Sequence, residues 1–189
     1  MSEIRRHADS ESVGKAAAQL FYDAAREAID ARGRFTVALS GGSTPKLMHK
    51  EIVTQYADKI DWRHVYVFWG DERNVPPDHD DSNYLMAKET LLDHILIPSD
   101  NVHRIRAEKD AVQAANEYDA TLRRFFAKAS KIPVLDLIWL GLGDDGHTAS
   151  LFPHTKALDV NDQLVVANYV PKLNVHRITF TVPLINAAP

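Results

Sequence analysis

The sequence predicts an α/β protein: a single-domain, open, mostly parallel, Rossmann-like sheet with helices on both faces. Three observations predict it. Short buried-strand signals, "FTVAL" (35–39), "VYVFW" (65–69) and "VLDLIWL" (134–140), alternate with longer stretches of helical apolar spacing. Each strand signal runs into a polar, glycine-containing loop, as at the carboxyl edge of a sheet wound with helices. At 189 residues, 45% hydrophobic and 25% charged, the chain is long enough for one sizeable core and short for two, so residues 1–189 read as one domain.

The elements follow in order. Val13, Ala17, Leu20, Ala24 and Ala28 form an apolar stripe on a first helix over 10–32, which Gly33 can end in a left-handed conformation. A strand at 35–39 leads through "SGGSTP" into a second helix, with Ser43 or Thr44 as its cap and Pro45 in its first turn. The strand at 65–69 is followed by the loop "GDERNVPPDHDDSN" and a helix showing Tyr84, Ala87, Leu91 and Ile95 on one face, capped by Ser82 or Asp81. Ala111, Ala115, Tyr118, Leu122 and Phe125 mark a further long helix before the 134–140 strand, and "RITFTV" alternates as a last strand before Pro183. "PLINAAP" begins like a helix, with proline allowed in its first turn, but the sequence ends before an amphipathic face develops. The sequence is therefore expected to be incomplete there.

Bulk properties narrow the function classes. Twenty-two basic against 26 acidic residues give a formal charge of -4, which leaves no cationic excess for a nucleic-acid backbone. The absence of cysteine excludes disulfides, thiolate zinc sites and a cysteine nucleophile, and it fits a reducing compartment. Neither a signal-peptide core nor an apolar run of membrane-spanning length occurs, so the expectation is a soluble cytoplasmic protein without a membrane partner. There is no internal repeat or low-complexity tract.

Three loops leave the strand ends. In the first, Ser40, Gly41, Gly42, Ser43 and Thr44 offer backbone N–H groups, hydroxyls and the positive end of a helix, which suit a phosphate. The same residues would also make an ordinary capped turn; the strand before them favours the phosphate. The spacing lacks the GxxxxGK[ST] pattern, pointing to a phosphomonoester rather than a nucleoside triphosphate. In the second loop, "GDER" projects Asp71, Glu72 and Arg73 from a strand end. Arginine there can grip a phosphate or carboxylate bidentately, and Asp71 can move or steer a proton. The nearby run Asp78, His79, Asp80 and Asp81 reads as solvated, and no metal site is assigned.

The third loop, "GLGDDGHTASLFP" (141–153), contains GxGxxG at Gly141, Gly143 and Gly146. A dinucleotide site needs a helix starting at those glycines, but Pro153 leaves room for little more than two turns, and Asp144 and Asp145 would repel a pyrophosphate. The alternative is a loop that presents His147 as an acid–base group, with Asp145 fixing its tautomer and raising its basicity. His154 has no such setting. No GxSxG or HExxH motif supports a serine or zinc hydrolase. Phosphate capture with a histidine–carboxylate pair suits water addition or proton transfer on a small phosphorylated molecule.

With these residues assembled, the chain resembles the 6-phosphogluconolactonases, within the broader glucosamine-6-phosphate isomerase/deaminase-like group. "SGGSTPKLMHKE", "VFWGDERNVPPDHDDSNY", "IPSDNVHRI", "LDLIWLGLGDDGHTASLFP" and "RITFTVPLINAA" occur in the family's order over nearly the whole length. "DGHTASLFP" and Arg73 of "GDER" are similar to the lactonases, whereas the deaminases look like "DGHIAFNEP" and carry an aromatic or similar residue at the arginine position. The resemblance implies hydrolysis of 6-phospho-D-glucono-1,5-lactone to 6-phosphogluconate, the second step of the oxidative pentose phosphate pathway, without metal or organic cofactor. It implies phosphate binding by the 40–44 loop, aided by Arg73 and by Lys172 or Arg177 of "PKLNVHRIT", with His147 activating water and Asp71 in a supporting role. A small sugar-phosphate lactone is the expected partner of a monomer or small homo-oligomer. Family members continue past "INAA" through a strand and helix that bring a lysine near the phosphate, which this sequence does not contain. Two other readings remain open: an aminosugar-phosphate isomerase/deaminase with Asp71 as base, and a non-enzymatic sugar-phosphate sensor. The sensor would normally carry a DNA-binding segment, and no basic helix-turn-helix precedes Phe35.

Overall fold

A computed structural model describes residues 3–127 and 132–189. The first helix, α1 (Ser10–Arg32), starts where the Asp9 side chain accepts from the Ser12 N–H and stops at Gly33, whose φ of 72° places it in the left-handed region. Its buried face is Gly14, Ala18, Phe21, Ala25 and Ala28; the first four lie one residue on from the stripe read in the sequence, which shares Ala28, and Leu20 is 43% exposed. Both stripes step by three and four residues, and the bulk of Phe21, packed edge-on against Phe35, selects between them.

β1 (Phe35–Leu39) is buried throughout and forms the centre of a parallel sheet in the order β2-β1-β4, with β2 (Val65–Trp69) and β4 (Leu137–Ile138). This is the parallel sheet the alternating pattern predicts. β4 is much shorter than the expected 134–140 strand. Pro133 has no N–H to offer, and the Asp136 carboxylate accepts from the Thr36 N–H at 2.8 Å, taking a donor that would otherwise enter a backbone ladder. Between β1 and β2, α2 (Ser43–Gln55) packs against α1.

The chain then passes into a second sheet. Gly70 donates its N–H to Leu39 O (3.0 Å) and accepts from the Phe180 N–H (2.8 Å), joining the two sheets at a single residue. Beyond it, "DER" forms a strand, β3 (Asp71–Arg73), where the sequence pattern gives a loop. β3 pairs antiparallel with β6 (Val175–Phe180), which also pairs antiparallel with β5 (Val165–Val170), giving the order β3-β6-β5. A three-residue strand carries no usable periodicity of its own; β6, a hundred positions further on, makes it a strand. α3 (Asn83–Thr90) is capped by Ser82, whose hydroxyl accepts from the Leu85 N–H, and α4 (Ala111–Phe125) is capped by Asp110 and packs on β5 and β6. α5 (Val182–Ile185) carries proline in its first turn.

Trp69, Phe68, Leu122, Ile178 and Phe180 are buried in one continuous apolar core that reaches both sheets. Among the described residues, no helix is long and apolar enough to cross a membrane.

Candidate active site

The carboxyl ends of β1 and β4, the strand β3 and the 141–153 loop surround a cavity of about 310 Å³. A larger groove of about 780 Å³ lies elsewhere, along α3 and α4, but its lysines Lys88 and Lys109 are already paired with Asp93 and Glu117. The smaller cavity holds the convergent chemistry.

One wall is the start of α2. The cap residue is Gly42, at φ 117°, and not Ser43 or Thr44 as the sequence suggests; no side chain caps the helix. A side chain is strained at that φ, so glycine is what allows the backbone to turn in directly from β1. The first-turn N–H groups of α2 are thereby left without a side-chain acceptor, beside Ser43 and Thr44, where an anion is favoured by the helix dipole.

The opposite wall is made by β3 and β6. Strand alternation turns Asp71 and Arg73 to the cavity and Glu72 away from it. Arg177 is the cross-strand partner of Arg73 and also lines the cavity. The Nε atoms of both guanidiniums are buried and have no hydrogen-bond partner among the described residues, although Arg73 Nη1 donates to Asp81 O at 2.6 Å. Burial, and then the neighbouring Arg73 charge, lower the pKa of Arg177. Two partly buried cations side by side suit a dianion, which would relieve their repulsion and use the vacant donors.

Asp71 is buried; its Oδ2 accepts from Ser150 Oγ at 2.7 Å, and its backbone carbonyl accepts from Asn83 Nδ2 at 3.0 Å. Glu72 is not a cavity residue. Its carboxylate accepts from the N–H groups of Arg73, Asn83 and Tyr84, each at 2.8 Å, and from Ser82 Oγ at 3.1 Å, tying β3 to the start of α3. Burial pushes its carboxyl pKa up, and the backbone donors oppose that shift.

The third wall is the glycine loop. No helix begins at Gly141, Gly143 or Gly146, so the dinucleotide geometry is not formed. Gly146, at φ 83°, turns the chain, while Gly143 N–H donates to His147 O at 2.8 Å. Nδ1–H of His147 donates to Asp145 Oδ1 at 2.5 Å; the carboxylate has no proton to give, which fixes this tautomer. The hydrogen bond from His147 and the contact with Lys172 hold the Asp145 pKa far below the usual carboxylate range.

Lys172, expected at the phosphate, lies in the turn between β5 and β6 and does not line the cavity; its Nζ is 3.1 Å from Asp145 Oδ2. All the other sequence-predicted residues except Asp145, which sits behind His147, line the cavity. Among the further lining residues, which the sequence does not single out as site residues, are Asn83, Ser150 and Phe152. Ser150 and Phe152 stand within the loop motif, but nothing in their spacing distinguishes them from packing residues. Asp78, His79, Asp80 and Asp81 are exposed, and among the described residues no group of three or more histidine, aspartate and glutamate side chains could hold a metal ion.

Comparison with known proteins places this geometry in context. Residues 8–189 match the family model described as glucosamine-6-phosphate isomerases/6-phosphogluconolactonase. A 6-phosphogluconolactonase of Nostoc sp. is 50% identical over 163 residues, covering 85% of this chain and 66% of the relative. A probable chloroplastic 6-phosphogluconolactonase 3 of Oryza sativa subsp. japonica is 41% identical, covering 95% of this chain and 56% of its own length. The chain therefore spans less than two thirds of the length of these relatives. Among solved structures, 6-phosphogluconolactonase from Trypanosoma cruzi superposes with a TM-score of 0.89 at 30% identity, covering 100% of this chain and 77% of that one. The Trypanosoma brucei enzyme gives 0.87 at 28% identity, covering 100% and 79%.

Proposed function

Because the chain belongs to the glucosamine-6-phosphate isomerase/6-phosphogluconolactonase family, we propose that it hydrolyses 6-phospho-D-glucono-1,5-lactone to 6-phosphogluconate. The observation that carries this reading is the Asp145–His147 pair at a cavity whose other walls are anion donors. The α2 start and the Arg73–Arg177 pair hold the phosphate. Asp71 balances the arginine charge and, through Ser150, keeps the 141–153 loop against β3.

With Nδ1 committed to Asp145, Nε2 of neutral His147 accepts a proton from water as the oxygen attacks the lactone carbonyl. The tetrahedral intermediate collapses by breaking the bond from the carbonyl carbon to the ring oxygen, which takes the proton from His147. The ring opens to a hydroxy acid, which ionises in water. Asp145 stabilises the imidazolium between the two transfers. The cysteine-free sequence and the family's small sugar-phosphate chemistry fit a reducing compartment such as the cytoplasm.

The test is hydrolysis of the lactone, corrected for uncatalysed ring opening, beside ammonia release from glucosamine-6-phosphate. Lactone hydrolysis without ammonia release is expected, and the reverse would identify a deaminase. His147→Ala is expected to lower kcat about 10²- to 10⁴-fold with little change in KM. A folded His147→Ala protein with nearly full rate would remove His147 from the mechanism and leave Asp71 as the better candidate.

A further inference from the structure

The His147 imidazole is closely packed by Phe152 and Gly143 as well as held at its edge by Asp145. On one face lies the Phe152 ring, with centroids 3.9 Å apart and planes inclined by 17°. The Gly143 backbone also lies against the ring, so close that a Cβ built there would overlap Cε1 and Nδ1 of His147. The Gly143 N–H to His147 O bond fixes the distance between that backbone and the ring. Phe152 is anchored in turn. It is buried, its carbonyl accepts from Thr155 Oγ1 at 2.7 Å, and the chain reaching it turns through Ala149 at φ 48°. Two residues before it, Ser150 is tied to Asp71 and to Thr179 Oγ1.

We propose that Phe152 is a positioning residue for His147: its ring packs flat on the imidazole, which the Gly143 backbone also confines, and its π face stabilises the imidazole while it carries the proton. The inference rests on His147 being the base. The face of an aromatic ring is negative and attracts a cation more than a neutral ring. In the proposed cycle the imidazolium forms on proton uptake from water and is lost on proton return to the ring oxygen, so the added stabilisation falls on the chemical step and not on substrate binding. Asp145 restrains the edge of the imidazole and sets its tautomer; Phe152 and Gly143 fix the plane in which Nε2 meets water.

Phe152→Leu is expected to lower kcat about 2- to 10-fold with KM nearly unchanged, and Phe152→Tyr to restore most of the rate. Gly143→Ala leaves Phe152 in place but puts a methyl where the imidazole lies, and kcat is expected to fall further. Independently of activity, the His147 Cε1–H resonance should be displaced upfield by the Phe152 ring in the unsubstituted protein, and that displacement should vanish in Phe152→Leu. A folded Phe152→Leu protein with unchanged kcat, or an unsubstituted protein whose Cε1–H shows no ring-current displacement, overturns the proposal. Should Phe152→Leu fail to fold, the resonance and the Gly143→Ala rate decide. If His147→Ala keeps its rate, the base assignment is what fails, and the resonance still reports whether the stacking exists.

Discussion

At the residue scale, orientation matters more than identity. Asp71, Glu72 and Arg73 are consecutive and all charged, yet the pleat sends the first and third to the cavity and the second to the start of α3. Arg73 and Arg177 become a pair only because the β3–β6 register sets them opposite one another. Removing one guanidinium should therefore weaken capture of the phosphate more than the chemical step. Arg73→Ala is expected to raise KM for the phosphorylated lactone by the equivalent of about 1.5–3 kcal/mol, the range for a hydrogen bond to a charged group, with a smaller change in kcat. Steady-state kinetics with the phosphorylated lactone and with glucono-lactone lacking the phosphate check this. Equal rates on the two lactones in the unsubstituted protein would remove the phosphate role.

At the element scale, Glu72 is the fastener between β3 and α3. Its carboxylate answers two N–H groups at the start of that helix and the hydroxyl of its cap, Ser82. Glu72→Ala leaves those buried donors without an acceptor. The protein should lose about 2–4 kcal/mol of stability, read as a lowered midpoint in chemical denaturation. Asn83, whose side chain donates to Asp71 O, would lose the acceptor of its backbone N–H, so activity should fall with stability. A Glu72→Ala midpoint equal to that of the unsubstituted protein would show that α3 does not depend on this carboxylate. Glu72→Gln should lie between the two, because an amide oxygen keeps an acceptor but not the charge. None of this fastening shows in the sequence, where "GDER" is simply a charged run after a strand.

At the scale of the whole molecule, the packing of α2 on α3 brings a histidine fully into the interior. His49 is 0% exposed, its Nδ1–H donates to Thr90 Oγ1 at 2.7 Å, and its Nε2 has no hydrogen-bond partner among the described residues. Burial lowers its pKa from 6.5 to about 4. The unfolded chain therefore binds the proton more readily than the folded one. Stability should be undiminished above pH 6.5, fall as the pH drops from 6.5 toward 4, and lose no more from this group below that. The span corresponds to about 3 kcal/mol. Denaturation midpoints measured across that range for the unsubstituted protein and for His49→Leu check it: the variant should lose this part of the acid dependence, and parallel curves would refute the assignment.

The sequence by itself determined what depends on neighbours along the chain. Apolar period placed α1, α3 and α4, the glycines and Pro45 after β1 placed α2, apolar runs placed β1 and β2, and the spacing of "DDGH" put a carboxylate within reach of Nδ1 of His147. That the 40–44 and 141–153 loops line one cavity was legible for the same reason, since a strand's end and its following glycines are adjacent. Only the tertiary structure decided what depends on partners far away. It made "DER" a strand through β6, shortened β4 through Asp136 and Thr36, set Lys172 beside Asp145 and outside the cavity, and stacked Phe152 on His147. Those outcomes follow from strand register and from the packing of side chains whose local sequence is compatible with several arrangements. The burial of distant surfaces against one another selects among them.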